Sequence, residues 1–326
     1  MTLRDRSVLV TGASGGIGSA AARAFAARGA RVIVTGRRVE QLEALAAEIG
    51  GRAIAVDLAD ADGPFRLVAA AGVVDVLVAN AGVSQAGDLT SLSPAEVDRV
   101  LAVNLRAPVM LARLLAEPMT ARGSGHIVFV SSLQGKSPSP LSAVYTGTKY
   151  GLRGFSLSLR LDLSDRGVGV SCVFPGFVSG AGMFADSGAP LPPGVRTVEP
   201  EAVADAIVRA IERNRAEVDA APVALRAGAR LAGIAPVLAG AVSKRAGASI
   251  ARAVARGHEE RRAAGDPHDD AGRRDVSRVA ADESPEGVVR PDDEARAAAG
   301  DSPDSVVRPD DEARAAPADL GQGERR

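Results

Sequence analysis

Residues 7–18 read Ser-Val-Leu-Val-Thr-Gly-Ala-Ser-Gly-Gly-Ile-Gly, and this stretch decides the fold class. A short apolar run ends in a glycine-rich turn, which opens an alanine-rich segment of helical periodicity. Glycines allow a tight turn and let the backbone approach a pyrophosphate, which then lies at the positive end of the following helix. The stretch therefore predicts a strand, a dinucleotide-binding turn and a helix. The turn residues predicted to bind the nucleotide are Gly12, Ser14, Gly15, Gly16, Ile17 and Gly18.

Runs rich in valine and isoleucine continue to alternate with alanine-rich segments as far as residue 213. This alternation predicts an α/β fold, a doubly wound parallel (Rossmann) sheet with helices on both faces. The predicted strands are 7–11, 31–35, 53–57, 75–79, 126–131 and 169–174. The predicted helices are 16–28, 40–49, 94–121, 143–165 and 200–213, with Ser93 as the cap of the third.

The charge of the chain is distributed in three regions, which predict three parts. Residues 1–220 form the predicted Rossmann domain, with basic and acidic side chains nearly balanced. Residues 221–258 form a predicted helical extension that is apolar and basic, because residues 220–258 hold six basic groups and no carboxylate. Residues 259–326 carry 11 basic and 19 acidic groups with no periodicity, which predicts a disordered tail. Its segment 288–298 returns at 306–316, a duplication too short for a stacked repeat.

Composition excludes several classes of protein. A lone cysteine, Cys172, cannot form an intramolecular disulfide, and no Cys/His cluster has metal-ligand spacing. The N-terminus lacks the long apolar stretch of a signal peptide, and no apolar run approaches the roughly 20 residues of a membrane span. We therefore expect a cytoplasmic protein without a metal site and without a nucleic-acid partner.

The end of the second predicted strand indicates which nucleotide binds. An NAD-binding protein places an acid there for the ribose 2′-hydroxyl, about 20 residues after the glycine turn. Gly36 stands at this position and Arg37 follows it. A guanidinium matches the geometry of a 2′-phosphate, so the sequence predicts NADP(H) in preference to NAD(H).

A third motif supplies acid–base chemistry. Tyr145 and Lys149 are four residues apart on a predicted helix and so share one face. A nearby ammonium favours phenolate and is expected to lower the pKa of the phenol from about 10. Ser132, at the end of the fifth strand, could hold a substrate oxygen.

These three motifs, in this order, resemble the short-chain dehydrogenase/reductase family over about residues 3–220. The resemblance implies a catalytic tetrad of Asn104, Ser132, Tyr145 and Lys149, and a nicotinamide cofactor that Tyr145 and Lys149 also contact. It assigns further cofactor contacts to Asp57, Leu58, Asn80, Ala81, Gly82, Pro175, Gly176 and Val178. The family commonly has a threonine where this chain has Gly180, and Ser179 could substitute for it. Residues 180–193 then resemble the substrate lid.

The resemblance implies an oxidoreductase that interconverts a small-molecule carbonyl compound and an alcohol, with Tyr145 as acid and base. Leu133, Gln134 and Leu141 are expected to line a moderately apolar pocket. The alternatives are a non-catalytic nucleotide-binding regulatory protein, or a sugar epimerase or dehydratase, whose TGxxGxxG turn this chain lacks. Family members associate through the two long helices, which predicts a homo-oligomer. Residues 221–258 either pack on the pocket or a second subunit, or lie on an anionic membrane surface.

Overall fold

The computed structural model describes residues 1–180 and 196–235, together with 237, 239–241, 252–253, 255–257 and 260. All of these belong to the first of the two units, 1–274 and 275–326, into which the chain divides. The predicted lid beyond Gly180, and the predicted tail with its duplicated segment, lie outside the described residues apart from Glu260.

Seven parallel strands form one sheet in the order β3-β2-β1-β4-β5-β6-β7. Their bounds are Ser7–Thr11 (β1), Arg31–Gly36 (β2), Arg52–Ala55 (β3), Val76–Ala79 (β4), Gly125–Val130 (β5), Val168–Pro175 (β6) and Glu217–Ala220 (β7). The six predicted strands are confirmed, with β3 ending two residues earlier than predicted. The seventh was not predicted, because a four-residue edge strand with two carboxylates has no apolar run.

In the part of the chain that the structure describes, eight α-helices connect or follow the strands. Their bounds are Gly16–Ala26 (α1), Val39–Ile49 (α2), Gly63–Ala71 (α3), Pro94–Leu101 (α4), Ala107–Ala121 (α5), Ala143–Leu163 (α6), Pro200–Glu212 (α7) and Val223–Ile234 (α8). The segment 94–121, predicted as one helix, contains a π-helical turn at Ala102–Arg106 between α4 and α5. Ser93 caps α4 through a capping box with Glu96, as predicted. Helix α3 was missed, and α8 falls within the predicted helical extension.

The sheet is buried on both faces by these helices. Along β1, Val8 and Val10 face α1, α2 and α7, whereas Leu9 faces α3, α5 and α6. The strand order reverses between β1 and β4, so the loops that leave these two strands diverge to opposite sides. In such sheets the ligand binds in the crevice at the carboxyl ends of the strands, so we expect the site at the loops after β1, β4 and β5. Among the described residues, no helix has the length and apolar character to cross a bilayer.

Candidate active site

The glycine turn after β1 is sterically restricted to glycine at two positions. Gly12 has a φ of +65°, and a Cβ added there would lie 2.8 Å from the Ala81 Cα. A Cβ on Gly18 would lie 2.3 Å from the Gly12 carbonyl oxygen. The first turn of α1 therefore packs directly on the glycine turn, at a separation that no side chain permits.

Hydrogen bonds tie this turn to the end of β4. The Thr11 hydroxyl accepts from the backbone N–H of Asn80 at 3.0 Å and of Ala81 at 2.9 Å. The Asn80 side-chain amide donates to the Thr11 carbonyl at 2.9 Å and to the Gly12 carbonyl at 3.3 Å. The structure thus brings together two motifs, 11–18 and 80–82, that are nearly 70 residues apart.

The N-terminus of α1 fits a nucleotide pyrophosphate. Gly15, at the cap position, supplies no side-chain hydrogen bond, and the first turn contains no acidic residue. The first N–H groups of a helix lack intrahelical partners, and the helix dipole favours an anion at this end. A helix N-terminus whose N–H groups are uncapped and not covered by side chains is the arrangement that binds phosphate groups.

At the end of β2, an arginine that the sequence analysis did not assign contacts the glycine turn. The Arg38 guanidinium donates to the Ser14 carbonyl. Gly36 packs closely on this turn, since a Cβ on it would lie 3.1 Å from the Ser14 Oγ, and that side chain would have to shift to admit it. Arg37 is exposed at the same edge. Thr35 directly precedes these residues, and in the described part of the chain its hydroxyl is the one buried side-chain polar atom with no hydrogen bond.

Asp57 and Leu58 follow β3. The Asp57 carboxylate accepts from the Ala59 N–H at 2.9 Å and lies 3.4 Å from the Arg99 guanidinium. Leu58 is buried. The Asp57 side chain is therefore held by the backbone of the turn that follows it and by an arginine of α4.

Helix α6 places Tyr145 and Lys149 on one face, as their spacing predicts. Lys149 is buried, and its ammonium donates to the Val130 carbonyl at 3.1 Å. The ammonium nitrogen lies 5.4 Å from the centroid of the Tyr145 ring. The helix thereby anchors its lysine to the end of β5, beside the residues that lead to Ser132.

Burial changes the acid–base expectation for this pair. Burial raises the pKa of Tyr145 to about 12, and a hydrogen bond with the Ser132 side chain opposes this rise. Burial also lowers the pKa of Lys149 to about 8. The expected lowering of the phenol pKa below 10 is therefore wrong for the chain alone, because desolvation of the phenolate outweighs the opposing interaction with Ser132. At neutral pH the phenol holds its proton.

Gln85, which was not predicted as a site residue, positions the start of α6. Its buried side-chain oxygen accepts from the N–H of Val144 at 3.1 Å and of Tyr145 at 3.3 Å. Its amide nitrogen donates to the Gly87 carbonyl at 3.2 Å. Gln85 thus satisfies first-turn donors of α6 from about 60 residues away, and no local sequence pattern signals this.

Ser132 begins a short 3₁₀ turn, Leu133–Gly135, whose Gln134 N–H donates to the Ser132 hydroxyl at 3.1 Å. The Gln134 side chain accepts from the Thr146 hydroxyl at 3.1 Å, which joins this turn to α6. Two of the three expected pocket residues, Leu133 and Gln134, therefore follow Ser132 directly in this turn. The third, Leu141, has a φ of +56°, a strained conformation for a residue with a branched side chain.

Asn104 lies in the π-helical turn between α4 and α5. Its side-chain oxygen accepts from the Val83 N–H at 2.7 Å, and its amide nitrogen donates to the Val83 carbonyl at 2.9 Å. The same nitrogen lies 3.5 Å from the Thr148 hydroxyl of α6. π-Helical turns within α-helices occur frequently at functional sites, and this one carries a predicted tetrad residue.

After β6, the chain is held against the edge strand and the segment before α7. The Gly176 N–H donates to the Ala220 carbonyl at 3.0 Å, and Val178 forms a parallel bridge with Val198. The Ser179 hydroxyl bonds the Val198 carbonyl at 3.3 Å. Gly180 has a φ of +66°, where a threonine would be strained, and this accounts for the departure at this position.

In the described part of the chain, no group of histidine, cysteine, aspartate and glutamate side chains could hold a metal ion. The residues assembled around the carboxyl ends of β1, β2, β4 and β5 are a glycine turn that opens a helix, a phenol with a raised pKa, a buried ammonium and a serine hydroxyl. This set suits a nucleotide cofactor and a proton transfer.

Comparisons with known proteins agree with this arrangement. The profile of the short chain dehydrogenase family matches residues 6–191. The ketoacyl reductase HetN of Nostoc sp. is 38% identical over 228 residues, which are 67% of this chain and 79% of that protein. Nodulation protein G of Rhizobium sp. is 43% identical over 185 residues, which are 55% of this chain and 76% of that protein.

Solved structures show the same architecture. A short-chain dehydrogenase from Sphingobium yanoikuyae in complex with NADPH superposes with a TM-score of 0.64 at 27% identity, covering 73% of this chain and 95% of its own. A metagenomic short-chain oxidoreductase in complex with NADP gives a TM-score of 0.55 at 40% identity, covering 67% and 97%. The chain belongs to the short-chain dehydrogenase/reductase family, whose members are oxidoreductases that use nicotinamide cofactors.

Proposed function

We propose that the chain is an NADP(H)-dependent oxidoreductase that interconverts a carbonyl compound and an alcohol, with Tyr145 as the acid and base. One observation carries this proposal. The ring centroid of the half-buried Tyr145 lies 5.4 Å from the Lys149 ammonium nitrogen, and burial of the hydroxyl raises the phenol pKa to about 12, so the phenol holds its proton at neutral pH. A protonated acid at this position is poised for carbonyl reduction.

When bound, the nicotinamide exchanges a hydride with the substrate carbon. In reduction, Tyr145 donates its phenolic proton to the substrate oxygen, and the Ser132 hydroxyl holds that oxygen. The Lys149 ammonium stabilises the phenolate that remains, since a cation favours the charged form. Asn104 holds Val83 through both of its amide atoms and directs its nitrogen toward Thr148, and we assign it the ordering of a water that returns the proton.

The preference for NADP(H) rests on the end of β2. Gly36 supplies no carboxylate to repel a 2′-phosphate, and Arg37 supplies an exposed guanidinium beside it. We expect Arg37→Gln to weaken NADPH binding about tenfold or more, the value of one charge-assisted hydrogen bond, and to leave NADH binding unchanged. Titration of both cofactors measures this, with Arg4→Gln as the control for lost surface charge. Equal weakening for both cofactors would contradict the assignment of Arg37 to the 2′-phosphate.

The substrate class is supported by the Nostoc relative, whose name describes a ketoacyl reductase, and by a similar solved structure described as a betaketoacyl-ACP reductase. We therefore place 3-ketoacyl thioesters first in a substrate panel, followed by aliphatic ketones and aldehydes. NADPH oxidation against this panel ranks the substrates.

Tyr145→Phe tests the proton-transfer role. Without the hydroxyl we expect turnover to fall by at least about a hundredfold, the lower range for general acid catalysis, while NADPH affinity stays within about twofold. Wild-type protein that binds NADPH but turns over no member of the panel would favour the regulatory alternative. Residual turnover near the wild-type rate in the variant would refute Tyr145 as the acid.

A homo-oligomer remains part of the proposal. Helix α6 exposes Tyr150, Leu157 and Leu161, which lie 7 and 11 residues apart and so share one face. This apolar face supports association of two copies through the long helices. Sedimentation velocity on the full chain measures the oligomeric state.

A further inference from the structure

A basic groove of about 620 Å³ opens beside the edge strand β7, next to the C-terminal end of α7 and to α8. Its cationic lining consists of Lys136, Arg153, Arg209, Arg213, Arg215, Arg226 and Arg230. Its acidic lining consists of Glu217 and Asp219. None of these residues belongs to the set assigned to the cofactor or to proton transfer, so the groove requires a separate explanation.

Both carboxylates of the basic groove are already neutralised. Lys136 lies 2.6 Å from Asp219, and Arg153 lies 2.6 Å from Glu217, with Arg230 3.7 Å from Asp219. Four further arginines form no ion pair with any carboxylate among the described residues. They are Arg209, Arg213, Arg215 and Arg226. The groove therefore presents a large excess of positive charge to solvent.

The outer face of α8 is apolar although it is exposed. Val223, Leu231 and Ile234 are 70%, 59% and 83% exposed, whereas Ala229 and Ala232 are buried on the opposite face. At about 100° per residue, the three exposed side chains fall within about 80° of one another around the helix. They form one stripe, which we call the α8 stripe.

The α8 stripe and the basic groove adjoin. Arg226 and Arg230, which line the groove, project from α8 on one border of the stripe, and Ile234 belongs to both. A surface helix with an apolar face bordered by arginines is the arrangement that lies in the interface of an anionic bilayer. A second copy is a poor occupant, because a two-fold contact would bring two strongly positive grooves together.

We propose that the basic groove and the α8 stripe form a docking surface for an anionic lipid bilayer. The arginines bind lipid phosphates, and Val223, Leu231 and Ile234 enter the boundary between headgroups and acyl chains. Lys136, which lines the groove, comes directly after the short turn that begins at Ser132. Docking therefore brings the candidate active site near the lipid surface.

Co-sedimentation of the full chain with vesicles tests this proposal without cofactor or substrate, so its outcome is independent of the proposed enzymatic function. We expect binding to vesicles of phosphatidylcholine mixed with phosphatidylglycerol, much weaker binding to phosphatidylcholine alone, and a loss of binding as salt is raised.

Two double variants separate the contributions. Arg209→Gln with Arg213→Gln should weaken partition about thirtyfold, since each arginine near an anionic surface contributes about fivefold. Leu231→Gln with Ile234→Gln should weaken it about tenfold or more, through lost burial of apolar area. The matched controls, Arg4→Gln with Arg166→Gln and Phe65→Gln with Val73→Gln, alter exposed residues elsewhere and should bind as wild type.

Three results would overturn the proposal. The first is that the groove variant and the stripe variant both bind vesicles as strongly as wild type. The chain could bind free glycerol 3-phosphate while vesicles recruit no protein, which would make the groove a site for a soluble anion. The third is that the chain does not bind vesicles and that Leu231→Gln with Ile234→Gln changes its sedimentation coefficient. This result would assign the α8 stripe to contact with a second copy.

Discussion

Gly18→Ala is the substitution that most directly tests the packing of α1 on the glycine turn. The added Cβ would lie 2.3 Å from the Gly12 carbonyl oxygen and 2.8 Å from the Ala13 Cα. An ordinary Cβ contact is about 3.4 Å or longer, so helix and turn must separate by roughly 1.1 Å. Such overpacking of backbone against backbone costs about 1–3 kcal/mol. For a domain of this size, at about 2–4 °C per kcal/mol, that corresponds to a Tm lower by about 2–12 °C.

The same displacement moves the N–H groups at the start of α1 away from a bound pyrophosphate. Loss of one charge-assisted hydrogen bond should weaken NADPH binding at least about tenfold. Gly154→Ala is the matched control, because no atom lies within 4 Å of its added Cβ and its position inside α6 favours alanine by about 0.5–1 kcal/mol. Thermal unfolding and NADPH titration of both variants provide the comparison. If Gly18→Ala unfolds at the temperature of Gly154→Ala, the close packing is wrong; if it is destabilised but binds NADPH normally, the phosphate role is wrong.

Two further predictions concern buried charge. Lys136 lies 2.6 Å from Asp219 and 3.0 Å from Glu217, and both Lys136 and Asp219 have nearly buried side chains, so Lys136→Met should lower the free energy of unfolding by about 3 kcal/mol in urea. An unfolding midpoint equal to that of wild type would show that these carboxylates do not need the lysine. Burial lowers the pKa of His126 to about 3, below the ordinary 6.5, so the folded state binds fewer protons and stability should fall as pH drops from 6.5 toward 3. His126→Gln should flatten this part of the pH dependence, and an unchanged slope would assign it to other groups.

The parts of the fold that the sequence predicts are those encoded by local spacing. β1, the glycine turn and α1 follow from residues 7–26 alone, since an apolar run, four glycines and an alanine-rich helix are contiguous. The capping box of α4 is equally local, because Ser93 and Glu96 are three residues apart. Helix α3 was missed because it starts with Gly63-Pro64, a pair that indicates a turn. Glycine is required at the start of α3 by a contact with the end of the preceding segment, since a Cβ on Gly63 would lie 2.3 Å from the Asp57 carbonyl oxygen.

The edge strand β7 could not be predicted because its stability comes from distant residues. Glu217 and Asp219 would be unfavourable in a half-buried strand without compensation. Lys136 and Arg153 neutralise them from 64 to 83 residues away, and the Lys136 ammonium also lies 3.8 Å from the Phe174 ring centroid on the neighbouring strand β6. A strand whose carboxylates are satisfied only by another part of the chain leaves no periodic signal in its own four residues.

The same distinction between local and distant contributions governs the candidate site. The interval between Tyr145 and Lys149 predicts that they share a face of α6, and they do. It does not predict that Lys149 is buried against Val130 or that Gln85 closes the start of the helix, since β5 and the loop after β4 supply those contacts. Burial raises the phenol pKa where proximity to an ammonium alone would lower it. Sequence spacing therefore identifies which groups meet, whereas the surrounding elements set their pKa values, and here the phenol and the ammonium both hold their protons at neutral pH.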